Sequence, residues 1–204
     1  MRKLKILVVG FIFLSGGGYR INAESYVIDN IHSRIGFTVK HMMINKVYGQ
    51  FNTYTGTFEY DTNNLETSKA DIKIDVSSIN TGIEKRDTHL KSEDFFDVKK
   101  YPEISFELSK VEKVSENKFK VTGKMTMHGS TNTISLDVEG GDIIKDNWGN
   151  IRTGFSLTGT ISRKEFGLTY NSLLETGGMV VADDIHLQID IEGVQQKQNP
   201  DFKK

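Results

Sequence analysis

One period-2 segment follows another along most of this chain. In "SRIGFTVKH" the residues Ile35, Phe37, Val39 and His41 share one face, and Gly36, Thr38 and Lys40 share the other. "VYGQFNTYTGTFEYD" alternates through Val47, Gly49 and Phe51 and then changes phase to Tyr54, Gly56, Phe58 and Tyr60; a β-bulge would produce that slip. Ile72, Ile74 and Val76 align next, followed by Ile104, Phe106 and Leu108, then by Phe119, Val121, Gly123, Met125 and Met127. Ile134, Leu136 and Val138 form a further set, as do Phe155, Leu157, Gly159 and Ile161, and finally Ile185, Leu187, Ile189 and Ile191.

These are eight strands, each apolar on one side. Such strands must pack against a second sheet or roll up with the apolar faces inward. Turn signals at "DTNN", "SENK" and "HGSTN" favour pairing of consecutive strands, and Gly129 supplies the positive φ a tight hairpin at His128-Gly129 demands. The expected fold is all-β, an eight-stranded antiparallel up-and-down barrel, which also removes exposed edges. A β-sandwich is the main alternative.

One stretch departs from the alternation. "EKRDTHLKSEDFFDVKKYPEISF", Glu84 to Phe106, reads as a short helical connection between the third and fourth strands. Thr81 caps a helix through Ile83 to Lys91, Ser92 starts another turn at "SEDFF", and Pro102 returns the chain to strand. Lying against one barrel end, it would expose Glu84, Lys85, Arg86, Asp87 and Glu93 and be pinned by Phe95 and Phe96.

Composition and charge set limits on partners. Arg2, Lys3 and Lys5 precede an apolar run from Ile6 to Leu14 and then small residues, the pattern of a secretory signal peptide over residues 1–23, with cleavage after Ala23 or, alternatively, Gly18. The run is short for a transmembrane anchor. Removing it takes away Arg2, Lys3, Lys5 and Arg20 and no acid, moving the formal charge from -1 to -5. An acidic mature chain argues against nucleic acid bound by net charge. Cysteine is absent, so there is no disulfide, thiol nucleophile or lipidated cysteine. A periplasmic protein is expected, with a domain over residues 24–194 and a loose polar tail over 195–204.

The candidate chemistry is thin. His32 and Ser33 would be strand neighbours pointing to opposite faces, unable to act on each other. His32, His41, His89, His128 and His186 show no HExxH spacing and no carboxylate pattern of a metal triad, so neither a catalytic residue nor a metal ligand is assigned. Arg163 is read either as a buried partner for an acid or as a mouth residue touching a head group. Inward Ile, Val, Leu and Phe could fill a small barrel or line a cavity; glycines at 49, 56, 123 and 159 and the flexible Met125 and Met127 leave room for slim hydrocarbon.

The blocks "IDNIHSRIGFTVKHMM", "VYGQF", "SSINTG", "RDTHLKSEDFFDVKKYPEISFE", "GKMTMHG", "GFSLTGTISRKEFGL" and "DDIHLQIDIE", in this order from Tyr26 to Gly193, resemble the YceI-like family of periplasmic proteins. The resemblance implies a lipocalin-like barrel holding a long-chain amphiphile: a polyisoprenoid such as a quinone or prenyl phosphate, or a fatty amide. No catalytic cofactor is implied. The ligand-contacting residues would be Phe37, Val39, Phe51, Phe58, Ile74, Phe95, Phe96, Phe106, Met125, Met127, Phe155 and Leu157, with His41 and Arg163 at polar positions. The partner is then a lipid, with transient membrane contact for cargo exchange, and a homodimer is left open. Two other readings remain: a lipid hydrolase or isomerase using His41, His128 or Arg163, and a structural or stress-response envelope protein with a filled barrel.

Overall fold

A computed structural model describes residues 23–171 and 180–196. The expected signal peptide, except Ala23, and the expected tail beyond Gln196 lie outside the described residues.

The chain forms β1 (Glu24–Ile28), β2 (Arg34–His41), β3 (Asn45–Phe51), β4 (Tyr54–Tyr60), β5 (Lys69–Asp75), β6 (Ile79–Asn80), α1 (Glu84–Lys91), β7 (Glu103–Ser115), β8 (Lys118–Met127), β9 (Ser130–Lys145), β10 (Ile151–Ser162) and β11 (Val181–Gln195). All strand pairs are antiparallel, and β1 pairs with both β4 and β11, closing a ring of eight strands in the order β1-β4-β5-β7-β8-β9-β10-β11. The three remaining strands prolong the first three staves of this barrel. β2 takes over from β1 along β11, with Ile28 opposite Gly193 and Arg34 opposite Asp190; β3 then pairs β2, and β6 pairs the end of β3.

The eight alternating segments therefore correspond to the eight staves, with two local differences. The phase change after Phe51 is not a bulge. The chain turns a corner at Asn52 and Thr53, whose N–H groups donate to Ser78 Oγ at 3.1 and 3.0 Å, and β4 leaves β2 for the neighbouring β1. Such a corner inverts the alternation because the two halves face different neighbours. Gln195 and Gln196, expected in the tail, belong to the sheet: Gln195 lies opposite Tyr26, and Gln196 N–H donates to the Ser25 carbonyl.

The helical connection also differs in detail. Ile83 occupies the cap position of α1 and makes no side-chain cap. Thr81 instead donates through its hydroxyl and its N–H to Asp87 Oδ1 and accepts from Arg86, which ties the entry of the helix to its own middle. The expected second helical turn is a set of tight turns, with Phe96 N–H donating to Leu90 O at 3.0 Å and Tyr101 N–H to Asp97 O. The His128-Gly129 hairpin has φ of 50° and 76°, as its turn chemistry requires.

Candidate functional site

An apolar cavity of about 550 Å³ runs inside the barrel. All fourteen residues named from the sequence line it: Phe37, Val39, Phe51, Phe58, Ile74, Phe95, Phe96, Phe106, Met125, Met127, Phe155, Leu157, His41 and Arg163. Alternation on eight staves brings the strand residues together, because each stave sends every second side chain inward; Phe95 and Phe96 reach the cavity from the segment after α1, and Arg163 from the turn after β10.

The barrel is hollow rather than filled. Ile72, Phe106, Leu108, Phe155, Leu157, Ile189 and Ile191 line the cavity yet are only partly buried, so part of each side chain is left uncovered by protein. The inward glycines act differently from the sequence reading, which had them leaving empty space. A Cβ on Gly49 would stand 2.3 Å from the Phe37 ring, one on Gly123 2.3 Å from the Phe106 ring, and one on Gly193 2.4 Å from the Phe58 ring. The far ends of these rings lie over the glycines, and the space appears inside the barrel instead. The Leu136 side chain covers Gly159 in the same manner, 2.5 Å from where a Cβ would stand.

Aromatic residues cluster at both ends. At one end Tyr26 stacks on Phe58 at 5.1 Å, and Phe155 meets Phe58 and Tyr60 edge-on at 5.8 and 5.1 Å. Burial pushes the Tyr26 and Tyr60 phenols up from their ordinary pKa, so they stay neutral in this apolar floor. At the other end the segment after α1 reaches back to the wall: Phe96 meets Phe51 edge-on at 6.1 Å, and Phe95 sits against His89 and Tyr170 at 5.1 and 4.8 Å. The expectation that Phe95 and Phe96 pin this segment holds geometrically.

Polar groups gather at that second end. Lys40, His41, Thr81, Arg86, His89 and Tyr170 line the cavity there. The sequence pattern put Arg86 on the exposed face of the helical connection and did not point to Tyr170, which lies outside any alternating run. Arg163 takes the buried one of its two expected roles, although it also borders the cavity. Its side chain is buried, donating through Nε to the Ala182 carbonyl at 3.1 Å and through Nη1 to the carbonyls of Leu168 and Tyr170, with Nη2 3.3 Å from Asp183. It clamps the loop after β10 to the start of β11, so its donors are committed to the chain and not to a head group.

Another constellation lies outside the cavity. His32 is in the turn before β2, not on a strand, and its Nδ1 is 2.9 Å from Asp29 and 4.0 Å from Glu192. These three could converge on a metal ion, a grouping the linear spacing of the histidines concealed. The carboxylates already hold a guanidinium, however: Arg152 Nη1 lies 2.7 Å from Asp29 and 2.6 Å from Glu192, and its Nε 2.8 Å from Asp146. The hydrogen bond from His32, with that from Arg152, holds the Asp29 carboxyl down at about 2. The cluster ties the β1–β2 turn to β10 and β11.

Known proteins resemble this chain over nearly all of the described barrel. UPF0312 protein SA2479 of Staphylococcus aureus is 40% identical over 169 residues, covering 82% of this chain and 96% of that protein. The crystal structure of the Campylobacter jejuni YceI protein superposes with a TM-score of 0.68 at 37% identity, covering 78% of this chain and 90% of that one. A polyisoprenoid binding domain from Saccharophagus degradans shares the fold at a TM-score of 0.61 and 14% identity, over 85% of this chain and 99% of that one. Residues 26–193 match the YceI-like domain, and the chain belongs to that family.

Proposed function

We propose that this protein binds a long-chain amphiphile, an isoprenoid or a fatty lipid, in the barrel interior and carries or stores it without transforming it. The observation that carries this reading is the continuous apolar cavity of about 550 Å³, within the range of small-molecule sites. Further support comes from its shape, with ring atoms lying over the wall glycines and polar groups at its ends rather than along its length, and from the relative of the same fold described as a polyisoprenoid binding domain.

Burial of each methylene contributes about 0.8 kcal/mol, so a dozen chain carbons represent roughly 10 kcal/mol before ordering is subtracted. One charge-assisted hydrogen bond to a head group contributes about 1.5–3. The tail governs affinity. Of the groups named for chemistry, Arg163 is occupied by backbone carbonyls, and the His128 ring packs against Tyr101 outside the cavity lining. The N-terminal sequence supports export, and we place the protein in the periplasm, beginning near Glu24.

The test is mass spectrometry of an organic extract of protein purified from its native compartment. The expected result is a stoichiometric lipid whose tail length is narrowly distributed while its head group varies. An extract free of lipid, from a protein whose intact mass shows residues 1–23 removed, would sink the carrier reading. Retention of those residues would sink the localisation alone.

A further inference from the structure

The β2–β3 hairpin has three features that neither the barrel nor its interior uses. Its turn places Met42 at φ 50° and Met43 at φ 62°, closed by Ile44 N–H donating to the His41 carbonyl at 3.1 Å. Turns with two positive φ values favour Asn and Gly, since the Cβ of other residues crowds the backbone there. Here two methionines and an isoleucine occupy the tip, and they bury little: Met43 is 59% and Ile44 85% exposed. Folding gains almost nothing from these side chains.

Charge is the second feature. From Arg34 to Phe58 the sequence has no aspartate or glutamate, in a chain with 27 of them. Lys40 and Lys46 lie directly opposite each other across the ladder, both are exposed, and among the described residues neither is ion-paired. The Asp183 carboxylate on β11 is already held by Arg163 and Lys164. Like charges directly opposite destabilise a sheet, so this pair detracts from the fold.

Position is the third. Among the described residues β3 pairs on its outer side only through Gln50 and Phe51 with β6, leaving Asn45 to Gly49 without a strand partner on that side, and the cavity is lined by His41 and Val47 on the hairpin and by Arg86 and Leu90 on α1. It reaches the exposed Lys40. The apolar tip and the lysine pair thus stand where the cavity meets the surface.

We propose that this hairpin docks the protein on an anionic lipid bilayer. Met42, Met43 and Ile44 enter the interface, Lys40 and Lys46 take headgroup phosphates, and the slot between β3 and α1 faces the acyl phase, through which cargo passes. The cargo step rests on the lipid-binding reading above; the docking does not. Such an edge and an apolar tip could also receive a strand of a protein partner, but the unneutralised lysine pair beside a lipid-sized cavity favours anionic lipid. The opposite end of the barrel has its own exposed apolar residues, Ile143, Ile144 and Trp148, beside Asp142 and Asp146 rather than lysines alone. Trp148, the single tryptophan, reports on that end.

Flotation with vesicles of phosphatidylglycerol in phosphatidylcholine tests the proposal. The protein should float with them in a salt-sensitive manner and bind pure phosphatidylcholine weakly, with Trp148 emission unchanged. Met43→Ser with Ile44→Ser should weaken binding by about tenfold or more and, separately, Lys46→Gln by about fivefold, while extracts of both variants still contain lipid. Absence of wild-type flotation, variants that bind as tightly as wild type, or a blue shift of Trp148 on vesicles would each overturn it. A wild type that floats as described but carries no lipid in its barrel leaves the docking standing and sinks the carrier reading instead.

Discussion

Gly49→Ala is the sharpest probe of the cavity. The three nearest atoms to a Cβ at this position all belong to the Phe37 ring, at 2.3, 2.8 and 2.9 Å, and the backbone there carries no positive φ to strain. Ordinary contact begins at 3.4 Å, so the nearest atom must retreat by at least 3.4 − 2.3, or 1.1 Å. Phe37 lies directly opposite Gly49 in the ladder, with the wall behind it, and the open direction is into the cavity. A ring swung inward displaces about two or three methylenes of a bound chain, a loss of roughly 1.6–2.4 kcal/mol, or about 15- to 50-fold in affinity. Stability should change by less than about 2 kcal/mol, because the ring moves into space and alanine suits a strand better than glycine. Titration with a fluorescent long-chain lipid, after circular dichroism has shown the variant folded, measures the effect. Phe37→Leu in the same chain should restore most of the binding. A folded Gly49→Ala variant with wild-type affinity would mean that the ligand does not occupy this side of the barrel, and the ring-on-glycine account of its shape would fail.

Phe95→Leu loosens the contact with His89 and Tyr170 and should speed lipid release several-fold in stopped-flow measurements with little change in melting temperature, since closing segments draw on the less stable parts of a structure; unchanged release would make Phe95 plain core. Arg163→Gln strips donors from buried carbonyls, and at about 1–3 kcal/mol per orphaned group it should destabilise by at least about 2 kcal/mol, a fall of roughly 4–8 °C, with bound lipid unaltered; loss of lipid without loss of stability would return Arg163 to the head group. Arg152→Gln should destabilise more at neutral pH than in acid. Asp29 and Asp146 are held below their ordinary values by partners that include Arg152, so their contribution is present above the unfolded carboxylate value near 4 and lost as pH falls towards about 2. Melting curves from pH 7 to 2 should therefore converge for wild type and variant, and a constant offset at every pH would show that Arg152 acts through packing alone.

The eight staves were legible in the sequence because a strand buried on one face repeats every two residues, and no competing period interferes. What the alternation hides is local. "ESYVI" is too short to declare itself, and β1 went unread although it closes the ring. At Asn52 and Thr53 a corner imitates a bulge, since both shift the phase by one residue. Thr81 has the chemistry of a cap, but Asp87 and Arg86 sit one turn further on and compete for it. The grouping of His32 and Asp29 with Glu192 joins the first strand connection to the last strand, and only closure of β11 against β1 and β2 assembles it. Facing placed the strand residues of the cavity on one surface, while Phe95, Phe96 and Arg163 lie off the strands; whether the inward residues enclose space was not legible, because a filled barrel and a hollow one share the same inward pattern.

That distinction is made by cross-strand partners. An inward phenylalanine opposite another large residue must project towards the axis and meet its counterparts there, and eight staves so furnished form a core. Opposite glycine, the ring can fold down across the neighbouring strand, as Phe37 does on Gly49 and Phe106 on Gly123. The aromatic surface is then kept and the axis is vacated. The strand itself gains nothing from glycine, whose entropy weakens it by roughly 0.5–1 kcal/mol relative to alanine. Repeating that loss at positions 49, 123 and 193, each beneath a ring, lowers the stability of a barrel that alanine with smaller partners would close more tightly. What the glycines secure is an apolar wall that is thin, continuous and wide enough for a chain, with little polar surface along it to discriminate one hydrocarbon from another. On the proposed lipid-binding reading, selection by such a wall would act on the length and width of a tail, which would leave the head group to the rim where Lys40, His41 and Arg86 stand.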